Sequence, residues 1–144
     1  MSEEYTISVE SSSIKKGGYA VINEHPTKAV DISASKTGKH GSMKMHIVGV
    51  DIFTGRKYET VMPGHKTIQV PIVKKCDYVL SCISEDGYLS LVDETGDLRE
   101  DLQLPSGELG NDLKNAYERD QNLIVQTTCA MGEEHVSSYK VSKD

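Results

Sequence analysis

Short apolar runs separated by turn residues recur along the whole chain. The clearest case is residues 43–52, where Met43, Met45 and Ile47 alternate with polar residues. Gly49 then interrupts the pattern. Alternation with a period of two is typical of a half-buried strand, and an internal glycine indicates a bulge or a tight bend. We therefore expect Met43 and Met45 to line the core of a small barrel.

The remaining pattern predicts a mainly β protein with one helix. Further strands are predicted at 19–23, 29–34, 58–62, 78–84, 88–93, 98–104, 123–131 and 136–141. The helix is predicted from Pro105 to about Arg119, with Leu109, Leu113 and Tyr117 on one face. Strands at this spacing with acid-glycine turns are typical of small barrels. One helix between strands is compatible with a five-stranded Greek-key barrel of the oligonucleotide-binding (OB) type.

A change in character near Pro71 predicts a domain boundary. Proline cannot donate a hydrogen bond to a central strand, so the apolar run at 68–73 is an edge strand or a connection. The charge balance changes at the same place. Residues 1–71 carry nine Lys and Arg against seven Asp and Glu, whereas residues 72–144 carry seven against fifteen. We therefore predict one domain at 1–71 and another at 72–144.

The composition excludes several classes of protein. No apolar run is long enough to span a membrane, and the three cysteines lack the spacing of a disulfide framework or a zinc site. This pattern is typical of a reducing, cytoplasmic environment. His46 and His65 lack partners at metal-ligand spacing, so we expect no metal, and Cys76 and Cys82 are expected to be small core residues. We find no nucleophile–base pair and expect no catalytic residues.

The positive charge is concentrated in one stretch. No acidic residue lies between Asp31 and Asp51, whereas three lysines and two histidines do. An acidic protein with one basic stretch favours a single oriented contact with a polyanion. Tyr78 and Tyr88 of the second half could stack on bases, but its net charge of −8 favours packing roles for them.

Residues 33–42 form the predicted tip of a hairpin within this basic stretch. Gly38 and Gly41 bracket Lys39 and His40, so Lys39 should project free of neighbouring bulk. Three interpretations compete: a phosphate-binding P-loop, a basic loop that contacts nucleic acid, and a lysine presented for covalent modification. The P-loop template fails, because His40 stands where it needs Ser or Thr and Ser33 where it needs Gly.

The loop and three further segments together resemble one known family, over roughly residues 12–140. Residues 35–41 read Ser-Lys-Thr-Gly-Lys-His-Gly. Residues 48–59 contain Val-Gly-Val-Asp-Ile-Phe-Thr-Gly, residues 86–91 read Asp-Gly-Tyr-Leu-Ser-Leu, and residues 99–105 read Arg-Glu-Asp-Leu-Gln-Leu-Pro. These motifs, in this order, are similar to those of the eukaryotic translation initiation factor 5A family.

The resemblance implies a fold and a modification. The fold is an N-terminal SH3-like barrel that carries a loop at 35–42, followed by a C-terminal OB-fold domain. By analogy, deoxyhypusine synthase transfers an aminobutyl group from spermidine to Lys39, and deoxyhypusine hydroxylase completes hypusine. No separate cofactor is expected. Gly38 and Gly41 would set the loop geometry, and Lys36, His40 and Lys44 are candidate contacts to RNA or tRNA.

The resemblance also implies partners. The factor would bind the large ribosomal subunit near the exit tRNA site and stabilise peptidyl-tRNA. It would promote peptide-bond formation at stalled sequences such as proline runs, and support elongation and termination. A weak homodimer is compatible with this role. The alternative is an unmodified RNA-binding module that uses the same basic loop; Lys39→Arg would inactivate the first and leave the second nearly unchanged.

Overall fold

A computed structural model of the protein describes residues 5–36 and 43–142. Its strands are β1 (Thr6–Glu10), β2 (Tyr19–Ile22), β3 (His25–Lys36), β4 (Met43–Asp51), β5 (Lys57–Pro63), β6 (Thr67–Pro71), β7 (Lys74–Ile83), β8 (Tyr88–Val92), β9 (Leu98–Gln103), β10 (Leu123–Ala130) and β11 (Glu133–Val141). A 3-10 turn covers Ser11–Ser13, and the helix α1 spans Glu108–Glu118. Since α1 is the one α-helix of the described residues, the predicted mainly β architecture is confirmed.

The first compact unit, Met1–Ile72, is a curled sheet with a two-stranded addition. Its four-stranded sheet has the order β2-β3-β4-β5, and β1 pairs with β6. All of these pairs are antiparallel. The buried side chains between them are aliphatic: Ile14, Ala20, Ile22, Ala29, Met45, Ile47 and Ile68. This unit is the predicted N-terminal SH3-like barrel.

Strand β6 lies at an edge, as the proline in its sequence predicts. Among the described strands it pairs with β1 alone, and Pro71 ends the ladder opposite Thr6. The pattern did not predict β1. Ile7 and Val9 do alternate with polar residues, but the run is only five residues long. Ile7 remains 51% exposed, and Val9 packs against the core. A two-stranded ribbon of this kind depends on its partner strand more than on its own pattern.

The interruption at Gly49 coincides with a bulge, as predicted. The extra residue is in β3, where the register shifts between Ala29 and Asp31 opposite Gly49 and Val48. A Cβ atom at position 49 would overlap the side chain of buried Thr27, coming within 2.7 Å of its Cβ. Glycine is therefore required here by the close approach of the two strands.

The prediction that both methionines line the core is correct for one of them. Met45 is 4% exposed and packs in the core, but Met43 is 41% exposed. Met43 pairs with Lys36 in the last described rung of the β3–β4 ladder. It shares the inward-facing side of the strand with Met45 but lies beyond the end of the core, so alternation alone could not place it.

The second compact unit, Val73–Asp144, is a five-stranded barrel with the order β11-β10-β7-β8-β9. Contacts between β9 and β11 bring the two ends of this sheet together. Helix α1 connects β9 to β10, which is the arrangement of an OB-fold. The core is aliphatic, built mainly from Leu80, Leu89, Leu91, Leu102, Leu113, Leu123, Val125 and Val136. The predicted C-terminal OB-fold is confirmed.

Helix α1 closes one end of this barrel. Leu113 and Ala116 are buried, and Leu109 and Tyr117 pack against the same core. Gly107 precedes the helix with φ of 81°, a conformation that favours glycine. Gly110 lies so close to the carbonyl of Pro105 that a Cβ atom there would overlap it. No helix in the described part of the chain is long and apolar enough to cross a membrane.

Candidate functional site

The β3–β4 hairpin is the element that brings the predicted site residues together. Its ladder runs from Thr27 opposite Asp51 to Lys36 opposite Met43. Residues 37–42 connect these strand ends and lie outside the described residues, so Gly38, Lys39, His40 and Gly41 are not described. The structure therefore describes the stem of the predicted loop and its two candidate contact residues, Lys36 and Lys44.

Lys36 and Lys44 lie on opposite faces of the hairpin. Residues directly opposite in a ladder share a face, so Lys36 is on the face of Met43 whereas Lys44 is on the face of Ser35. Both lysines are exposed. Within the described ranges 5–36 and 43–142, neither lysine forms an ion pair. The stem thus presents one exposed lysine on each of its two faces.

The end of β4 at this site is tied to two other elements. The Gly64 amide donates to the Met43 carbonyl at 2.8 Å, and the Ser12 amide donates to the Gly64 carbonyl at 3.2 Å. The buried Ser11 hydroxyl donates to the Pro63 carbonyl at 2.9 Å. These bonds join the stem to the turn after β5 and to the 3-10 turn. The sequence pattern assigned no supporting role to Pro63 or Gly64, so this support was missed.

Space at Gly64 is also limited. A Cβ atom there would lie 3.1 Å from the Met43 Cε and 3.5 Å from the Ser12 Cβ. Met43 and Gly64 line a shallow open pocket with Glu10, Ser12 and His65. A glycine at 64 therefore allows the exposed Met43 side chain to lie against the turn at the base of the loop.

The other end of β4 is held by a buried carboxylate. Asp51 is 3% exposed, accepts from the Phe53 amide at 2.8 Å and pairs with His25 Nδ1 at 3.0 Å. The His25 ring stacks on Tyr58, with centroids 4.4 Å apart. Tyr58 is opposite Gly49 in the β4–β5 ladder and packs against the core of this unit. Both ends of β4 are therefore fixed.

His46 and His65, the two histidines considered above as metal ligands, lie beside different groups. His46 Nε2 lies 2.8 Å from Glu59 Oε2 across the β4–β5 pair, which satisfies its ring nitrogen. His65 lies on the exposed turn beside Met43. Within the described ranges, no group of three or more His, Cys, Asp or Glu side chains could hold a metal ion.

The face of the OB-fold that binds oligonucleotides in other proteins is acidic in this chain. That face is formed by the second and third barrel strands, here β8 and β9. It has a shallow pocket lined by Ser84, Asp86, Tyr88, Ser90 and Glu100. The Ser90 hydroxyl donates to Glu100 at 3.2 Å, and the Tyr88 hydroxyl accepts from Gln103 at 3.0 Å. Carboxylates at these positions repel phosphate groups.

A polar cluster joins four strands of this barrel. The Arg99 guanidinium donates to both oxygens of Asp101 at 2.8 Å, to the Tyr78 hydroxyl at 2.9 Å and to Glu134 at 3.1 Å. Thr127 donates to Glu134 at 2.7 Å. Arg99 lies on β9 and Glu134 on β11, so this ion pair joins the two strands that close the barrel. Sequence motifs did not reveal the cluster, because its members come from four strands.

Protonation in this cluster follows from burial and hydrogen bonding. Burial would raise the pKa of Glu134, but hydrogen bonds from Thr127 and Arg99 outweigh it and lower that pKa. The hydrogen bond from Arg99 also lowers the pKa of Asp101. Burial and the nearby Glu134 carboxylate raise the pKa of the Cys129 thiol to about 11, so it remains protonated and unreactive at neutral pH.

The remaining predictions for this unit are confirmed in part. Tyr78 packs against the core and bonds to Arg99, which leaves its ring unavailable as a stacking platform. Burial raises the pKa of its hydroxyl. Tyr88 is 37% exposed at the rim. Cys76 and Cys82 are half-buried rather than fully within the core.

Comparison with known proteins covers both compact units. The family described as "Translation initiation factor 5A-like, N-terminal" matches residues 4–66. The family described as "Eukaryotic elongation factor 5A hypusine, DNA-binding OB fold" matches residues 72–140. The chain is 43% identical to "Eukaryotic translation initiation factor 5A" of Spodoptera exigua, over 95% of this chain and 86% of that protein. It is 44% identical to "Eukaryotic translation initiation factor 5A-1" of Saccharomyces cerevisiae, over 94% and 85%.

Solved structures agree with these matches. A "translation initiation factor eif-5a family protein" from Naegleria fowleri superimposes with a TM-score of 0.90 at 38% identity, covering 95% of this chain and 99% of that one. "Eukaryotic translation initiation factor 5A" from Methanococcus jannaschii gives a TM-score of 0.72 at 30% identity, covering 94% and 95%. The class of protein is therefore a translation factor made of an SH3-like barrel and an OB-fold. The chain belongs to the translation initiation factor 5A family.

Proposed function

We propose that this chain acts on the ribosome as a hypusine-bearing translation factor. Deoxyhypusine synthase would add the aminobutyl group of spermidine to Lys39, and deoxyhypusine hydroxylase would complete the modification. The factor would bind the large subunit near the exit tRNA site in the cytoplasm. There it would stabilise peptidyl-tRNA, favour peptide-bond formation at stalled sequences such as proline runs, and support elongation and termination.

The observation that carries the proposal is the position of Lys39 relative to the stem. The β3–β4 ladder is continuous up to Lys36 and Met43, and Lys39 lies in the six residues between them. The strand that follows is fixed at both ends by Gly64 and Asp51. Rigid strands beneath a functional loop are a common arrangement, because they define where the loop residues can reach. Membership of the family supports the identity of the modified residue.

The charge of the stem supports a partner rich in phosphate. Hypusine is longer than lysine and adds a second amine, so it carries more positive charge into such a site. Lys36 and Lys44, on opposite sides of the stem, would contact phosphates on two sides of the inserted loop. His40 is a further candidate contact. Contacts of this kind position the protein without reading sequence.

The proposal assigns no catalytic residue to this chain, since the ribosome performs the chemistry. The contribution of the modified side chain would be to hold the end of the peptidyl-tRNA in an orientation that favours reaction. We also propose that the functional domains are 1–71 and 72–144, the first carrying the loop and the second an acidic OB-fold.

The proposal can be tested with a reconstituted translation reaction on a message that encodes a proline run. Protein modified by the two enzymes, unmodified protein and Lys39→Arg would be compared. We expect modified protein to relieve the stall, and Lys39→Arg to remain at the level without added factor, because arginine keeps the charge but cannot accept the aminobutyl group. Lys66→Arg, an exposed lysine of the same unit, is the matched control and should behave as the parent protein.

Thermal unfolding of Lys39→Arg should match that of the parent, which separates loss of function from loss of fold. If Lys39→Arg and unmodified protein both relieve the stall fully, the hypusine mechanism is wrong for this chain. That result would favour the alternative, an unmodified RNA-binding module that uses the lysines of the stem.

A further inference from the structure

The outward face of the C-terminal barrel carries one row of aliphatic side chains. The ladder places Ile124 of β10 opposite Val79 of β7, Val79 opposite Val92 of β8, and Val92 opposite Leu98 of β9. Residues directly opposite share a face, so these four residues form a single row across four strands. We call them the outer row. Lys140 of β11 is opposite Ile124 and ends the row on that side.

The outer row is accessible to solvent. Val79 is 53% and Leu98 is 56% exposed, and Val92 and Ile124 are half-buried beside them. Other outward positions on the same strands and on β11 are polar, among them Lys75, Asp77, Gln126 and Ser138. Sheets that face water on one side normally alternate apolar inward and polar outward residues. Single exposed aliphatic residues are ordinary, but a contiguous set marks an interaction surface.

The charge beside the row selects the kind of partner. The β8–β9 turn adjoins Val92 and Leu98 directly and contains Asp93, Glu94 and Asp97. Asp77 lies one step further along the outward face of β7. The end of the row at Leu98 is therefore acidic, whereas the end at Ile124 adjoins Lys140. A binding segment with cationic side chains at its Leu98 end would complement both the apolar row and the acidic turn.

The same charges disfavour two other occupants. Nucleic acid would place phosphates against the acidic turn, which costs affinity. A second copy of this chain would bring two units with a net charge of −8 together. Like charges held close together oppose association unless they are paired.

We propose that the outer row is a docking site for a protein segment that has aliphatic side chains flanked at one end by lysine or arginine. The aliphatic side chains would cover Val79, Val92 and Leu98, and the cations would lie over Glu94 and Asp97. The site is separate from the β3–β4 hairpin and does not depend on modification of Lys39.

The test uses the full isotope-labelled chain and a capped peptide with a run of lysines followed by alternating leucine and serine. Nuclear magnetic resonance titration should shift the amide signals of residues in the outer row and the β8–β9 turn. Two peptides are controls: one with glutamates in place of the lysines, and one with serine in place of the leucines. Both control peptides should bind at least about tenfold more weakly, because the first lacks the cations that face the acidic turn and the second lacks the aliphatic side chains that cover the outer row.

Matched variants locate the binding on the chain. Val79→Ser combined with Leu98→Ser should weaken peptide binding about tenfold, since both side chains lose apolar area that binding would bury. Val61→Ser removes an equally exposed valine from the other unit and should have no effect. Glu94→Lys should weaken binding about threefold and reduce its salt dependence, whereas Glu85→Lys, on a different turn of the same barrel, should not.

Three outcomes would overturn the proposal. The first is the absence of amide shifts at millimolar peptide. The second is equal binding of the lysine and glutamate peptides, which would indicate unspecific apolar contact. The third is a set of shifts in the outer row that appears on adding single-stranded RNA, or on raising protein concentration alone, and not on adding peptide. RNA shifts would assign the row to nucleic acid, and concentration-dependent shifts to a second copy. None of these results would bear on Lys39.

Discussion

Two antiparallel hairpins of this protein differ in the charge that they present. The β3–β4 hairpin has no acidic residue between Asp31 and Asp51, and its stem presents Lys36 and Lys44 without ion-pair partners in the described chain. The β8–β9 hairpin has an acidic turn that is organised by its own carboxylate. Asp93 Oδ1 accepts from the Thr95 and Asp97 amides, both at 2.9 Å, and from the Thr95 hydroxyl at 2.6 Å.

The difference shows how charge and local bonding, rather than topology, determine what a hairpin can bind. The Asp93 carboxylate is engaged by its own turn, and the hydrogen bond from Thr95 lowers its pKa. The lysines of the β3–β4 stem face solvent on two sides and remain available for phosphate. An OB-fold would ordinarily suggest that the C-terminal barrel contacts nucleic acid, but in this chain the N-terminal hairpin has the appropriate charge.

The largest expected effect concerns the support of the basic hairpin. Gly49→Ala should destabilise the N-terminal unit by about 3 kcal/mol, because the added Cβ overlaps fully buried Thr27 at the centre of the sheet. Urea unfolding followed by circular dichroism measures the change. Val48→Ala, on the outward side of the same strand, is the control and should cost less than about 1 kcal/mol. Equal losses for the two variants would show that the close approach at Gly49 is unimportant.

The acidic barrel should depend on Arg99. Arg99→Met keeps the volume of the side chain but leaves the half-buried Glu134 carboxylate without its cation, and should cost about 2 kcal/mol. The folded-state pKa of Glu134 is lowered, so its stabilising contribution is complete above the ordinary pKa of a carboxyl group. That contribution is lost as the pH falls through the folded-state value.

The pH dependence of stability distinguishes loss of the Arg99–Glu134 ion pair from simple loss of packing. In the parent protein, the free energy of unfolding of the C-terminal unit should fall as the pH decreases from about 5 to about 3. Arg99→Met should show a shallower fall over the same interval. Two parallel curves would contradict the assignment of the lowered carboxyl pKa to Arg99.

A charge-reversal pair tests the comparison directly. Lys36→Glu with Lys44→Glu should weaken binding to single-stranded RNA about tenfold near 0.1 M salt and lower the salt slope by about two. Lys75→Glu with Lys114→Glu makes the same charge change on exposed residues of the other unit. That control pair should alter affinity less than about twofold. Fluorescence anisotropy over a salt series gives the RNA affinity and its salt slope. Equal effects of the two pairs would contradict the claim that the N-terminal hairpin is better suited than the C-terminal barrel to bind RNA.

The smallest expected effect is local to the acidic turn. Asp93→Asn weakens the acceptor that organises the turn, so the Thr95 and Asp97 amides should exchange with solvent faster. RNA affinity should be unchanged. Amide hydrogen exchange is the measurement, and unchanged protection of both amides would show that the carboxylate does not hold the turn.

Much of this architecture could be predicted from the sequence, for physical reasons that differ among its parts. Alternation located β4, and the incompatibility of proline with a central ladder located the edge strand β6. The apolar face of α1 was visible because Leu109, Leu113 and Tyr117 follow helical spacing. In each case a local rule and the packed structure agree, as expected of elements whose own pattern determines their burial.

What could not be predicted depends on contacts between distant residues. The opposite faces of Lys36 and Lys44 follow from the ladder register, which requires both strand ends to be known. The exposure of Met43 depends on where the core ends. Arg99, Glu134, Tyr78 and Thr127 come from separate strands and carry no shared motif. The interpretation of Lys39 rests on motif resemblance and remains a prediction, since residues 37–42 lie outside the described residues.

The most direct test of the central claim is peptide mass spectrometry across Lys39, on protein purified from its native source. We predict a hydroxylated aminobutyl adduct on Lys39, and unmodified side chains at Lys36 and Lys44 in the same digest. The adduct without its hydroxyl group would preserve the hypusine assignment at the first step and remove the hydroxylase from it. Unmodified lysine at position 39 in most of the protein would contradict the account.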